Sequence, residues 1–140
     1  MTGRGAQRKG AAGEIEVAAR LSQMFGVPVK RMATAYLPGI VAPDVFGLAG
    51  IHCEVKRVQR LNLCAALRQA RRDADGKAAL VLHRRNHERW LATMLLEDLP
   101  ELGRALQKVL PEHEHGQTLD SEAPENRLDQ IGQSDKGSTP

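Results

Sequence analysis

The eight residues IHCEVKRV, 51–58, constrain this chain more than any other stretch. Strand side chains alternate between faces, so Ile51, Cys53 and Val55 make one apolar face and His52, Glu54 and Lys56 the opposite one. Such a strand needs neighbours to bury its apolar side. DVFGL, residues 44–48, reads as a second strand, joined through Ala49-Gly50 in a hairpin. Upstream, a helix is expected from about Gly13 to Phe25. Val17, Leu21 and Met24 form its stripe, widened by Ile15, Ala18 and Phe25, and Gly26 ends it.

Downstream, Asn62 is placed to cap a helix over 63–74, with Leu63, Ala66, Leu67 and Ala70 as its apolar face. VPVKRM is a short strand, and ATAYLPGIVA a loop turning at Pro38-Gly39. DADGK is a turn, AALVLH a fully apolar strand, RRNHE a loop and RWLATMLL a further strand. EDLPELGRALQKVL is a last helix, broken or started at Pro100. The order αβββαββα predicts an α/β layered domain with a mixed sheet flanked by helices.

The 140 residues suit one domain with a tail. Residues 1–12 read as a basic flexible N-terminus, 13–110 as the α/β domain and 111–140 as a disordered acidic tail with little apolar content. No apolar run approaches the roughly 18 residues of a membrane span. The basic start has no apolar h-region, so it is not a secretory signal. A cytoplasmic protein is expected. Cys53 and Cys64 lack CxxC spacing and read as free buried thiols.

Charge divides unevenly along the chain. Residues 1–110 hold 18 Lys and Arg against 10 Asp and Glu, a balance of +8, and residues 111–140 hold 2 against 7, a balance of −5. A basic body suggests a polyanionic partner, with ordinary solubilising charge as the plain alternative. With only Phe25, Phe46, Tyr36 and Trp90 as aromatics, a base-stacking platform is a poor fit and a duplex phosphate backbone a better one.

The charges inside the hairpin need their own account. If DVFGL pairs with IHCEVKRV, Asp44 comes alongside Glu54. Two carboxylates at ~4 Å repel by about 4 kcal/mol at an effective dielectric of ~20. One carboxyl stays protonated, or Lys56 neutralises part of the charge, or a divalent cation sits between them. Oxygen-only donors select a hard ion, Mg²⁺ or Mn²⁺. Lys56 would then hold or polarise a water, or stabilise charge on a phosphate. Taken alone, EVK also fits an ordinary Glu-Lys pair on a solvent-facing strand.

Pro43-Asp44, nine intervening residues and then Glu54-Val55-Lys56 resemble the motif of the PD-(D/E)XK nucleases. KGAAGE, 9–14, resembles the start of helix one in the archaeal-type Holliday junction resolvases of that superfamily. Gln69 lies on the helix after the lysine, where many members keep a glutamine. Residues 9–95 follow the family's element order and look most like the short resolvase-like nucleases of phages and prophages. The resemblance implies a restriction-endonuclease-like three-layer fold and a metal-dependent DNA endonuclease, acting on duplex or four-way-junction DNA as a homodimer. No small-molecule cofactor and no membrane partner belong to it. Asp44 and Glu54 would be metal ligands, helped by the Val55 carbonyl. Lys56 would act on the water, Glu14 would complete the site by metal or water contact, and Gln69 would steady it.

Glu14 lies on the side of Val17, Ala18 and Leu21, and Glu16 is the weaker choice. Glu14 also fits a first-turn acid complementing the helix dipole, and Gln69 an exposed helix residue. The sequence departs from the resolvases at ATAYLPGIVA, which lacks their Ser-Gly stretch; Thr34 or Tyr36 stands in its region. An aromatic sometimes found in helix two is missing. The alternatives are a non-catalytic DNA-binding module with the same fold, or a nuclease acting on RNA.

The expected DNA-facing cations are Arg8, Lys9, Arg31, Arg57, Arg60, Arg84 and Arg85, with Arg4, Lys30, Arg68, Arg71 and Arg72 in reserve. HRRNH, 83–87, is too compact for a His-Asn-His nuclease and lacks HExxH zinc spacing. His52 reads as a satisfied or exposed histidine beside the site. GAAG is no phosphate loop, since no GK[ST] follows.

Overall fold

A computed structural model describes residues 3–33 and 41–110. Its elements follow the expected order: α1 (Gly3–Phe25), β1 (Lys30–Arg31), β2 (Val45–Phe46), β3 (Ile51–Arg57), α2 (Leu63–Asp73), β4 (Ala78–Arg84), β5 (Leu91–Thr93) and α3 (Leu99–Val109), with a 3-10 turn at Leu96–Asp98. The five strands form one mixed sheet in the order β1-β2-β3-β4-β5. Only β3 and β4 run parallel, joined by α2 as the crossover. The remaining pairs are antiparallel.

Two cores make three layers. On one face, Val17 and Ala18 of α1 and Ala105 of α3 close over Val45, Ile51, Cys53, Val55 and Leu82. On the other, Ala66, Leu67 and Ala70 of α2 close over Ala79 and Val81. The small α2 residues let that helix lie close to the sheet. Asn62 caps it, its Oδ1 accepting the Ala65 N–H at 3.0 Å. Such a cap is worth about 1 kcal/mol.

Two glycines are required by the backbone. Gly26 closes α1 at φ +66°, its N–H donating to the Ser22 carbonyl. Gly47, at φ +125°, lies where a Cβ would stand 2.2 Å from the Pro28 carbonyl oxygen. Ser22 then fastens the helix to the sheet, since its Oγ accepts the Val29 N–H at 2.8 Å and donates to the Val29 carbonyl at 3.0 Å.

Three expectations are corrected. The N-terminal stretch is not separate from the first helix, because α1 already starts at Gly3. Ala, Gln, Arg and Lys favour helix strongly enough to carry the glycines between them. The stripe on α1 is narrower than expected: Ile15 is 57% and Met24 72% exposed. Ile15 points roughly 160° away from Val17 on the helix wheel. Met24 stays on the stripe but overhangs an open groove shared with Trp90 and Leu91. Of the two free cysteines, Cys53 is buried but Cys64 is exposed, on the outer side of α2. The proposed tail, 111–140, and Thr34 and Tyr36 lie outside the described residues. No helix among the described residues is long and apolar enough to cross a membrane.

Candidate metal and phosphate site

The seam between β2 and β3 gathers the charged residues of the hairpin. Val45 pairs with Cys53, so Asp44 falls opposite Glu54 at the strand's end. There β2 stops, and Asp44 takes over part of the ladder with its side chain. Its Oδ2 accepts the Val55 N–H at 2.7 Å, while its own N–H donates to the Cys53 carbonyl. Within a strand, the N–H and C=O of one residue leave on the same edge. The Val55 carbonyl therefore points to the side where Asp44 sits.

Glu54 shares the α2-facing side of the sheet with His52 and Lys56. Because α2 covers that side too, β3 is buried on both faces, and His52 is 2% and Glu54 7% exposed. Glu54 Oε1 accepts from Lys56 Nζ at 2.8 Å. His52 Nε2 stands 3.8 Å from Glu54 Oε2, too far for a hydrogen bond, and is buried without a hydrogen-bond partner among the described residues. On Glu54, burial is the largest influence and pushes its pKa up. His52 and Lys56 together outweigh it and hold the carboxyl below the usual range.

Asp44 behaves in the opposite way. Burial, followed by repulsion from Glu54 and Glu14, pushes its pKa up to about 6, against the pull of the Val55 N–H and Lys56. Its Oδ1 makes no hydrogen bond among the described residues. Asp44 is thus a carboxyl between two other carboxylates, short of positive charge.

Glu14 reaches this region from α1 and is ion-paired with Arg31 of β1. Arg31, expected to face DNA, is therefore already paired with an acid through its Nε and stays partly exposed. Arg84 is paired as well. Its Nη2 donates to Glu16 Oε2 at 2.8 Å, and its guanidinium lies 5.1 Å from the Trp90 ring centroid. Trp90 Nε1 donates to the other oxygen of Glu16 at 3.0 Å. Glu16 thus clamps α1 to the β4–β5 end of the sheet. A lone tryptophan N–H needs an acceptor, which was the only sequence signal for this cluster.

Of the other expected residues, Gln69 is exposed on α2 and joins none of the acids by a hydrogen bond among the described residues. Arg8, Arg60 and Arg85 are exposed. Lys9 and Arg57 are half-buried, and Arg57 Nε has no hydrogen-bond partner among the described residues. His52 was expected to be satisfied or exposed and is neither. Its alternation with Glu54 on β3 was the signal that it belongs beside the acid.

No family model matches this chain, and no curated protein does. Among solved structures it is similar to Hjc, a Holliday junction resolvase from Archaeoglobus fulgidus, at 20% identity and a TM-score of 0.41, over 56% of this chain and 70% of that one. The site must therefore be read from its own residues. Among the described residues no group of three or more His, Cys, Asp or Glu converges to hold a metal ion. The donor set available to a cation is smaller: two carboxylates, Asp44 and Glu54, and the Val55 carbonyl. All are hard oxygen donors, and Asp44 has no salt bridge among the described residues, so they fit a hard divalent cation that keeps several waters.

Proposed function

We propose that this chain is a metal-dependent endonuclease acting on DNA. The observation that carries the reading is the β2–β3 seam. There the charge-starved Asp44 stands beside Glu54, with Lys56 held 2.8 Å from the same glutamate. Asp44, Glu54 and the Val55 carbonyl would hold Mg²⁺ or Mn²⁺. That ion would supply charge stabilisation at a phosphodiester and a more acidic water.

The chain's own residues do the rest. Glu54 fixes Lys56 in one rotamer, with its ammonium facing the site. From there Lys56 orients an attacking water or meets the negative charge growing on the phosphate. Asp44 is tied to β3 through Val55, so its carboxylate is positioned before substrate arrives. Glu14, restrained by Arg31, sets the negative potential from the α1 side. The substrate in this reading is duplex DNA or a four-way junction. A junction has two equivalent cuts, so a symmetric dimer belongs to it.

A second reading is a DNA-binding module without catalysis. It is favoured by the ion pairs themselves, because Glu14 with Arg31 and Glu54 with Lys56 already neutralise one another. Supercoiled plasmid incubated with Mg²⁺, with EDTA, and with Lys56→Ala separates the two. The nuclease nicks only with Mg²⁺ and loses nicking with the substitution. Salt-sensitive binding without nicking establishes the module. Four-way junction, linear duplex and RNA offered side by side then fix the substrate.

A further inference from the structure

The sheet carries a second feature beside Lys56. In the β3–β4–β5 register, Lys56 pairs with His83 and His83 with Leu91. These three side chains form one row on one face of the sheet. The α2 layer ends before this row: its buried residues cover Ala79 and Val81, and the next position, His83, faces a cleft. That cleft, about 520 Å³, opens at the carboxyl ends of the two parallel strands, where open α/β sheets take their ligands. One wall is apolar, from Val58, Leu61 and Leu91, and the rim carries Arg85 and Arg89, with the Glu88 carboxylate between them.

The rim cations differ from most of the others near acids. Arg20, Arg31, Arg71, Arg84 and Arg104 all pair with carboxylates, whereas Arg85 and Arg89 have no salt bridge among the described residues. Both are exposed. The loop bearing them is held in place: the Asn86 N–H donates to Gln59 Oε1 at 2.7 Å, and the Glu88 N–H to the Arg85 carbonyl at 3.2 Å. His87 adopts φ +63° to make the turn, a conformation non-glycine residues seldom take.

We propose that this cleft is a subsite for one nucleotide of a polynucleotide strand, beyond the bond presented to Lys56. This rests on the nuclease reading for the identity of the strand. Arg85 and Arg89 take the phosphate, and Val58, Leu61 and Leu91 take the apolar faces of sugar and base. Lys56 and His83 lie on adjacent strands, about 4.8 Å apart in a sheet, so one strand can pass both positions. Among the described residues no Phe, Tyr or Trp lines the cleft, so recognition here runs through backbone and shape and is indifferent to sequence.

The test is binding, separate from cleavage. The full chain in EDTA is titrated into a fluorescein-labelled single-stranded DNA of about 20 nucleotides over a series of salt concentrations. Arg85→Ala with Arg89→Ala should weaken binding about tenfold and flatten the salt slope by about 1.4, as loss of two phosphate contacts predicts. Arg68→Ala with Arg72→Ala, on the exposed side of α2, should change affinity by less than about threefold. Leu91→Glu, which puts a carboxylate on the cleft wall while leaving both arginines, should also weaken binding. Equal losses from the two arginine pairs, or none from the Arg85/Arg89 pair, overturn the proposal. Wild-type plasmid nicking decides the other reading separately. Nicking with no Arg85/Arg89 effect removes the subsite alone. Loss of binding in that pair without any nicking keeps the subsite and removes the nuclease.

Discussion

Helix α1 sends two glutamates, two residues apart, to two different environments. Glu16 ends among groups that satisfy it. Trp90 donates to one oxygen and Arg84 to the other, and the Trp90 bond is the main reason its pKa falls below the usual range. Glu14 ends near Asp44, where burial first, and then repulsion from Glu54 and Glu14, pushes that carboxyl up to about 6. The first cluster has a donor for each carboxylate oxygen. The second has more negative charge than its cations neutralise, and a buried His52 Nε2 with no hydrogen-bond partner among the described residues. Residue types alone do not separate the two, since both are acids beside arginine or lysine. The balance of charge does. Glu16 is matched oxygen by oxygen, although Arg84 Nε beside it is buried without a hydrogen-bond partner among the described residues, whereas the seam sets Glu14, Asp44 and Glu54 against Arg31 and Lys56 alone.

The largest effect expected from this contrast is on cleavage. Lys56→Ala or Glu54→Gln should lower plasmid nicking by about 10²-fold or more, the order seen when a group stabilising transition-state charge is lost. Glu16→Gln should leave nicking within about threefold once a folded sample is secured, because it touches no group at the seam. Gel quantification of nicked circles under identical Mg²⁺ reads both. If Glu16→Gln and Lys56→Ala lose activity equally, the distinction between the clusters fails.

Next in size is the pH dependence of stability without metal. Asp44 has a folded pKa of about 6 against 3.8 for an ordinary aspartate. A raised folded pKa contributes stability that is complete below the unfolded value and is lost as pH rises through the folded one. The Asp44 contribution therefore declines between about pH 4 and 6, by on the order of 3 kcal/mol. Asp44→Asn should abolish nicking yet be more stable than wild type above pH 6, and the gap should close toward pH 4. Denaturant melts in EDTA across that range measure it. Mg²⁺ should restore stability to the wild type and not to the variant. A gap that widens toward low pH would falsify the charge-starved picture of Asp44.

How much of this was legible beforehand follows from the range of each interaction. The eight elements and their order came through, because alternation in IHCEVKRV and the stripe on LCAALRQA are local patterns. Asp44 beside Glu54 also followed once β2 and β3 were taken as a hairpin. What stayed hidden was which cation meets which acid. Arg31 to Glu14 and Arg84 to Glu16 join residues 17 and 68 positions apart. Only the packing of α1 across the sheet brings them together, so both arginines were read as free for DNA. The burial of His52 was hidden for a similar reason. Alternation tells which face it shares with Glu54, but not that α2 would cover that face.

The Glu16 cluster gives a smaller effect, on stability. Glu16→Gln keeps the shape but removes the charge facing Arg84, and Glu16→Ala removes both acceptors. With the carboxylate partly exposed, solvent screening reduces each bond, and Glu16→Ala should cost about 1–2 kcal/mol. Trp90 is the only tryptophan, so its fluorescence reports this cluster directly. The variant should shift the emission of the folded protein and lower the denaturation midpoint. A lowered midpoint with unchanged emission would mean that the loss arises elsewhere.

The smallest effect separates the fold from the family resemblance. The resemblance gives Gln69 a steadying role at the site, but the side chain is exposed on α2 and bonded to none of the acids. Gln69→Ala should therefore change stability by less than about 0.5 kcal/mol, as exposed helix positions do. On this geometry nicking stays within about twofold of wild type, below the cost of a net hydrogen bond. A larger loss of nicking with an unchanged melt would mean that bound DNA draws the glutamine inward. Gln69 would then join the seam only in the complex, and the unsatisfied character of the site would extend to its α2 side.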